Sequence, residues 1–168
     1  MVDNGICTIE SSNPARRNAM SVSMMGELAT VLLALGGNPA VRVAVLRGAG
    51  EEAFVSGADI SEFAGHTDDT RRIADEAASR LFTRLSEVPV PVIARIHGYC
   101  LGADVAIALG ADLRCADTRG VLAIPAAKLG VGYPASPRPR RSSRQSAPPR
   151  PATCCTPDAG CPRPRLCP

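Results

Sequence analysis

The chain has 168 residues, 45% of them hydrophobic and 21% charged, which is the composition of one modest globular domain. No run approaches the roughly 18 apolar residues of a membrane helix, and the N-terminus lacks the basic and apolar segments of a signal peptide. We therefore expect a cytoplasmic protein without membrane contact. Aromatic residues make up 3% and Trp is absent, which argues against base-stacking surfaces for single-stranded nucleic acid.

Strands and helices are predicted to alternate along the chain, which favours an α/β domain. In chain order, the predicted elements are a strand over 6–9, a helix capped by Ser21 and ended by Gly36-Gly37, a strand over 41–46, a helix over 67–86, a strand over 92–96, a short helix over 103–111 and strands over 113–116 and 121–124. The buried face of the first helix is assigned to Met24, Leu28, Val31, Leu32 and Leu35, and that of the second to Ile73, Ala77, Leu81 and Leu85.

Charge and proline divide the chain into two parts. Residues 1–136 carry 12 Lys and Arg against 15 Asp and Glu, whereas residues 137–168 carry 7 Arg, one acid and nine of the 15 prolines. The second part has a single large aliphatic residue, Leu166, and cannot bury enough apolar surface to offset the entropy of ordering. We therefore predict a domain over 1–136 and a disordered tail over 137–168.

The tail has the composition of a GC-rich coding sequence translated out of frame, and we predict a frameshift near Ser136. Two functional interpretations stay open, a basic arm that binds nucleic acid and a proline-rich ligand. The four tail cysteines are not spaced as paired Cys-x-x-Cys knuckles and the tail has no His, so we predict no metal site. Cys7, Cys100 and Cys115 have apolar neighbours and are predicted to be buried thiols.

Two loops rich in small residues, 53–60 and 97–104, are the candidate site. Each follows a predicted strand and leads into a helix. Small residues let a ligand approach the backbone, and a helix N-terminus offers N–H groups. Two such groups that converge on one point would form an oxyanion hole, although turns of this kind also have purely structural roles in α/β domains.

Four segments resemble the crotonase, or enoyl-CoA hydratase/isomerase, superfamily. They are residues 13–20 (NPARRNAM), 53–63 (AFVSGADISEF), 96–112 (IHGYCLGADVAIALGAD) and 124–134 (IPAAKLGVGYP). The resemblance covers roughly the first half of a usual member and implies an incomplete crotonase fold, an α/β spiral of ββα units. It also implies that the family's trimer or hexamer assembly is lost by truncation.

An acyl-CoA ligand is implied by the same resemblance, with a coenzyme A thioester as substrate and no bound cofactor. The backbone N–H groups of Ala58 and Ala103 match the two donors that hold the thioester oxygen, and Asp104 beside them is a candidate acid or base. The positions that match the family's substrate-binding surroundings are Arg16, Arg17, Ala19, Ser56, Gly57, Asp59, Ile60 and Gly102. From the residues alone, Asp59 is also typical of a helix cap and His97 of a packed structural histidine.

The two glutamates with which hydratases of this family add water fall on Ala106 and Ala126. Alanine neither donates nor accepts a proton. The resemblance therefore implies a protein of acyl-CoA (fatty acid) metabolism whose hydratase or isomerase chemistry is impaired, and whether it is an enzyme stays open. The alternatives are a non-catalytic acyl-CoA-binding remnant and a nucleic-acid binder that uses the basic tail.

Overall fold

The computed structural model describes residues 2–63, 67–102 and 105–125, and the predicted tail lies outside them. Within that part of the chain there are three α-helices, two short 3₁₀ helices and eight strands. The helices are α1 (Val22–Leu35), α2 (Asp68–Glu87) and α3 (Val105–Gly110), and the strands are β1 (Val2–Asp3), β2 (Ile6–Ser11), β3 (Val43–Gly48), β4 (Ala53–Val55), β5 (Val92–Ile96), β6 (Tyr99–Leu101), β7 (Leu113–Ala116) and β8 (Val121–Ala123).

The larger sheet has five strands in the order β1-β2-β3-β5-β7. All neighbours from β2 onward are parallel, and the two-residue β1 is antiparallel to β2. Parallel neighbours need a crossover connection, and α1, between β2 and β3, is one of these. The register places Thr8, Val45, Ile93 and Leu113 in one row across the sheet.

A smaller sheet of three parallel strands has the order β4-β6-β8. Each of its strands directly follows a strand of the larger sheet, so that β3-β4-α2 and β5-β6-α3 are successive ββα units and β7-β8 begins a third. This repeat confirms the predicted incomplete ββα spiral. No helix in the described part of the chain is long and apolar enough to cross a membrane.

Helix α1 begins and packs largely as the sequence predicts. The Ser21 hydroxyl accepts a hydrogen bond from the Met24 N–H at 3.1 Å, which satisfies one of the amide groups left open in the first turn. Buried positions of the helix are Met25, Leu28, Ala29, Leu32 and Leu35. The assignment of Val31 to this face is wrong: Val31 is 41% exposed, because it lies at the margin of the face that packs on the sheet and α2.

Helix α2 begins within one residue of the predicted start, and the Thr67 hydroxyl caps it by accepting from the Thr70 N–H. Its buried residues are Ala74, Ala77, Leu81 and Leu85, and the assignment of Ile73 to that face is wrong, since Ile73 is 50% exposed. A spacing of four exceeds the 3.6-residue turn and drifts by about 40° at each step. After three steps from Leu85 the stripe has left the core, and Ala74 takes the inward position.

Three strands were missing from the sequence prediction: the two-residue β1 and the strands β4 and β6. The first predicted loop contains β4 and the second contains β6, each only three residues long. All three residues of β4 are buried, with Phe54 2% exposed at the centre of the core. Glycines flank both segments and favour a loop interpretation, whereas the neighbouring strands that stabilise β4 and β6 are distant in sequence.

The cysteine prediction holds for two thiols and fails for one. Cys7 and Cys100 are buried, whereas Cys115 is exposed. Cys115 lies on β7, the last strand of the larger sheet among the described residues, and its side chain points to the same face as Leu113. Its exposure therefore follows from its position at the sheet edge.

Candidate functional site

Two glycine turns meet at one edge of the smaller sheet. Gly57 follows β4, and Gly102 follows the neighbouring parallel strand β6. Their φ values, 113° and 69°, lie in a region that residues with a Cβ rarely adopt. A Cβ on Gly102 would lie 3.5 Å from the Gly57 Cα, and a Cβ on Gly57 would lie 3.5 Å from the Leu101 carbonyl oxygen. The fold thus brings the two predicted loops into direct contact.

The amide of Ala58 points away from the segment beside it. The Met20 N–H donates to the Gly57 carbonyl at 2.8 Å, and the Asp59 N–H donates to the Met20 carbonyl at 3.0 Å. In a parallel bridge of this kind, the N–H and C=O of the central residue, here Ala58, point away from the bridged residue Met20. Within the described ranges the Ala58 N–H has no hydrogen-bond acceptor. Ala103, the other predicted donor, lies outside the described residues.

Asp59 is a buried carboxylate with a structural partner. Its Oδ1 accepts from the Ser61 hydroxyl at 2.6 Å and from the Ser61 N–H at 3.0 Å, and the Arg16 guanidinium lies 3.4 Å away. The Ser61 hydroxyl bond, with help from the Ser61 N–H and Arg16, lowers the pKa of Asp59 despite its burial. This arrangement matches the predicted cap, because Asp59 immediately precedes the short 3₁₀ helix Ile60–Phe63.

The two candidate arginines are neighbours in sequence but have different partners. Arg16 is fixed at its backbone, where its carbonyl accepts from the Ser56 hydroxyl at 2.9 Å, and its side chain turns to Asp59. Arg17 has a left-handed φ of 51°, and its Nε lies 3.3 Å from a Glu52 carboxylate oxygen. Its guanidinium also lies over the Tyr99 ring, 5.7 Å from the centroid. Both side chains remain more than half exposed, at 51% and 62%.

Sequence reasoning missed Asn18, which holds this loop to the sheet. Asn18 is 2% exposed, and its Nδ2 donates to the carbonyls of Ala49 and Ala53, both at 2.8 Å. Its Oδ1 accepts from the Asn13 N–H at 3.0 Å, and the Asn13 side chain donates to the Ala19 carbonyl, also at 3.0 Å. The available signal was the pair of asparagines that brackets Pro14 and the two arginines, since Asn tolerates the left-handed φ of 59° seen at Asn18.

The remaining candidates are placed as follows. His97 lies between β5 and β6, and its Nε2 is buried without a hydrogen-bond partner among the described residues. Ala106 lies on α3 and is exposed in the described part of the chain. Asp104 and Ala126 lie outside the described residues, and of Ile60 only the backbone is described.

One known family agrees with the order of the four sequence segments, with the ββα repeat and with the contact between the glycine turns. The sequence profile described as enoyl-CoA hydratase/isomerase matches residues 1–141. The chain belongs to the enoyl-CoA hydratase/isomerase family. This membership confirms the resemblance drawn from the four sequence segments.

Individual members of the enoyl-CoA hydratase/isomerase family agree with this assignment. A short-chain-enoyl-CoA hydratase of Clostridium acetobutylicum is 30% identical over 126 residues, which is 75% of this chain and 48% of the relative. The crystal structure of an enoyl-CoA hydratase/carnithine racemase from Magnetospirillum magneticum superposes with a TM-score of 0.76 at 30% identity, over 79% of this chain and 51% of that one. An enoyl-CoA hydratase from Bacillus anthracis gives a TM-score of 0.74 at 29% identity, over 78% of this chain and 51% of that one. The chain thus spans about half the length of the family members it matches.

Proposed function

We propose that the chain binds acyl-CoA thioesters and that the thioester oxygen accepts hydrogen bonds from the N–H groups of Ala58 and Ala103. The supporting observation is the Ala58 amide, which has no acceptor in the described part of the chain and lies beside the contact between Gly57 and Gly102. Two preorganised donors would polarise the carbonyl and stabilise the enolate oxygen that forms when a proton leaves the adjacent carbon.

The coenzyme A portion is assigned to the loop that Asn18 anchors. Arg16 and Arg17 are more than half exposed, and guanidinium groups suit phosphate oxygens. Each has a carboxylate partner, so both side chains are oriented before a ligand arrives. The proposed surroundings of the rest of the ligand are Ala19, Ser56, Gly57, Asp59, Ile60 and Gly102.

The chemistry of this member is proposed to be impaired. Ala106 and Ala126 replace the two acids that the family resemblance calls for, and Asp104, next to Ala103, is the candidate acid or base that is left. A site of this composition polarises the thioester but has no glutamate to deliver a proton from water. The second candidate, a non-catalytic acyl-CoA-binding protein of the cytoplasm, is favoured by the methyl side chain of Ala106.

Isotope-edited infrared spectroscopy tests the proposal directly. Butyryl-CoA labelled with ¹³C at its carbonyl should show a lower carbonyl stretching frequency when bound, because the two N–H groups withdraw electron density from the oxygen. A thioether analogue without the carbonyl should bind more weakly in calorimetry. An unchanged frequency at saturating ligand would overturn the assignment of the donors.

Matched arginine variants test the coenzyme A assignment separately. Arg16→Ala should weaken butyryl-CoA and the thioether analogue equally, by roughly tenfold, since it removes a phosphate contact and leaves the carbonyl contacts in place. Arg42→Ala is the control, because Arg42 is exposed and bonds only the Asn4 carbonyl. Equal affinity of all three proteins for free coenzyme A would contradict the role of Arg16.

A further inference from the structure

Two hydrogen bonds to one buried residue flank the Ala58 amide. Met20, which is 1% exposed, donates its N–H to the Gly57 carbonyl at 2.8 Å and accepts from the Asp59 N–H at 3.0 Å. These bonds fix the peptide groups on either side of Ala58, and the direction of the Ala58 N–H follows from them. Any contact that holds residues 57–62 against Met20 therefore also sets the direction of this amide.

Helix α1 begins two residues after Met20, and its first turn contains no Asp or Glu. The Ser21 hydroxyl accepts from the Met24 N–H at 3.1 Å and so satisfies one of the amide groups that a helix start leaves open. The N–H at the first helical position, Val22, is not reached by this cap. Val22 is partly buried, so its N–H needs an acceptor from elsewhere in the chain.

Glu62 supplies that acceptor from a distant part of the chain. Its Oε2 accepts from the Val22 N–H at 2.9 Å, across 40 residues of sequence. Glu62 is partly buried and lies on the 3₁₀ helix Ile60–Phe63, and its own N–H donates to the Asp59 carbonyl at 3.0 Å. The positive end of the helix dipole also favours a carboxylate at this place. The contact thus ties the turn that follows Ala58 to the start of α1.

We propose that Glu62 is a positioning residue for the Ala58 N–H. Residues 57–62 are held at their start by Met20 and at their end by the Glu62 contact, so loss of that contact frees one end of the segment. A donor to an oxyanion is effective only when its direction is fixed before the ligand arrives. The inference rests on the proposed function, because the amide that Glu62 holds is the one assigned to the thioester oxygen. No proton transfer is assigned to Glu62.

Two measurements on Glu62 variants of the full chain test this role. Amide exchange needs no ligand: in Glu62→Ala the Asp59 N–H should exchange at least about tenfold faster, normalised to the amides of the central strand β3. Infrared spectroscopy of bound butyryl-CoA, labelled with ¹³C at its carbonyl, reads the alignment of the donor. Glu62→Ala should undo at least about half of the frequency lowering, because a misaligned N–H polarises the oxygen less. Glu62→Gln should restore both values, since its amide oxygen accepts from the same Val22 N–H.

Ser21→Ala is the matched control, because it removes a cap from the same end of α1 and leaves the Glu62 contact in place. It should lower stability yet keep the normalised Asp59 exchange and the carbonyl frequency of the unsubstituted chain. Circular dichroism verifies that all variants fold. Unchanged Asp59 exchange or an unchanged frequency in Glu62→Ala, the same changes in Ser21→Ala, or no rescue by Glu62→Gln would overturn the proposal. If the unsubstituted chain itself leaves the ligand frequency unchanged, the proposed function fails, and the Asp59 exchange alone decides whether Glu62 holds the turn.

Discussion

The Cα of Gly57 lies 3.5 Å from the place that a Cβ on Gly102 would occupy. The two glycines come from successive ββα units, yet their backbones are in contact because β4 and β6 are parallel neighbours that end at the same edge. The Ala58 N–H lies beside this contact, and it is one of the two donors proposed to bind the thioester oxygen. The site therefore depends on two turns whose positive φ values, 113° at Gly57 and 69° at Gly102, disfavour any residue with a side chain.

Gly102→Ala should destabilise the fold by about 1–2 kcal/mol, because Gly102 has a φ of 69° and a Cβ is strained there. Acyl-CoA affinity should fall with it, since relief of the strain at φ 69° shifts the Gly102 backbone beside the proposed donors. Gly26→Ala is the matched control: Gly26 is inside α1 with no atom within 4 Å of a new Cβ, and alanine there should stabilise by about 0.5–1 kcal/mol. Urea denaturation measures both changes, and a neutral Gly102→Ala would contradict the strain argument.

Asn18→Ala should cost at least about 2 kcal/mol, since it leaves the Ala49 and Ala53 carbonyls without the donors that now reach them. Asn18→Asp should destabilise the fold more than Asn18→Ala, because it places carboxylate oxygens against the same two carbonyls. Asn38→Asp provides the comparison. Asn38 is exposed and its side-chain Oδ1 accepts from the Ala40 N–H, a bond that a carboxylate retains, so its change should stay within about 0.5 kcal/mol. Thermal unfolding of the three variants decides whether the buried amide anchors the loop.

The Asp59 carboxyl should make the free energy of unfolding depend on pH. Its pKa in the folded chain lies below the ordinary value of 3.8, chiefly because of the Ser61 hydroxyl, so the unfolded chain binds the proton more tightly. The resulting stabilisation is present at neutral pH and is lost as the pH falls below about 4. The difference in unfolding free energy between the parent and Asp59→Asn should therefore shrink from pH 6 toward about pH 3. Asp75→Asn, exposed on α2, is the control, and a difference that does not change with pH would refute the linkage.

Hydration of crotonyl-CoA by this chain should be undetectable. A positioned acid or base is typically worth about 10²–10⁴-fold, and Ala106 and Ala126 supply neither. In a chimera that joins residues 1–136 to the second half of the Clostridium acetobutylicum relative, Ala106→Glu with Ala126→Glu should raise the hydration rate. Affinity for acyl-CoA should stay within about tenfold, because the proposed backbone donors are untouched.

The unsubstituted chimera is the decisive control for the missing acids. Robust crotonyl-CoA hydration by that protein would mean that another group, with Asp104 first in line, supplies the proton chemistry. The two alanines would then not be a catalytic gap. Loss of folding in the double variant is detected by circular dichroism before any rate is compared.

The elements that local sequence determines were predictable. Ser21 caps α1 as its hydroxyl predicts, α2 begins within one residue of its predicted start, and the β-branched run before Gly48 forms β3. Strands β4 and β6 were not predictable, because three residues carry too short a pattern and the strands pair with segments that lie 22 to 46 residues away.

The site, like the fold, was predictable only where the signal lies in the local sequence. The resemblance identified Gly57, Ala58 and Gly102, and the structure brings the two glycines together. Asn18 was missed because its decisive partners, the Ala49 and Ala53 carbonyls, are 31 and 35 residues away in sequence. A polar residue in a loop is ordinarily solvated, and only the folded structure shows that this side chain is enclosed.

The stacking of Arg17 on Tyr99 gives the protein an intrinsic optical probe. The sequence contains no Trp and only two Tyr, so its ultraviolet emission comes from very few rings, and one of them lies beneath a guanidinium assigned to phosphate binding. A phosphate that draws Arg17 away from the ring changes the surroundings of that emitter. Ligand arrival is therefore expected to be visible in tyrosine emission, with Tyr99→Phe as the silent counterpart and no dye or label attached to the chain.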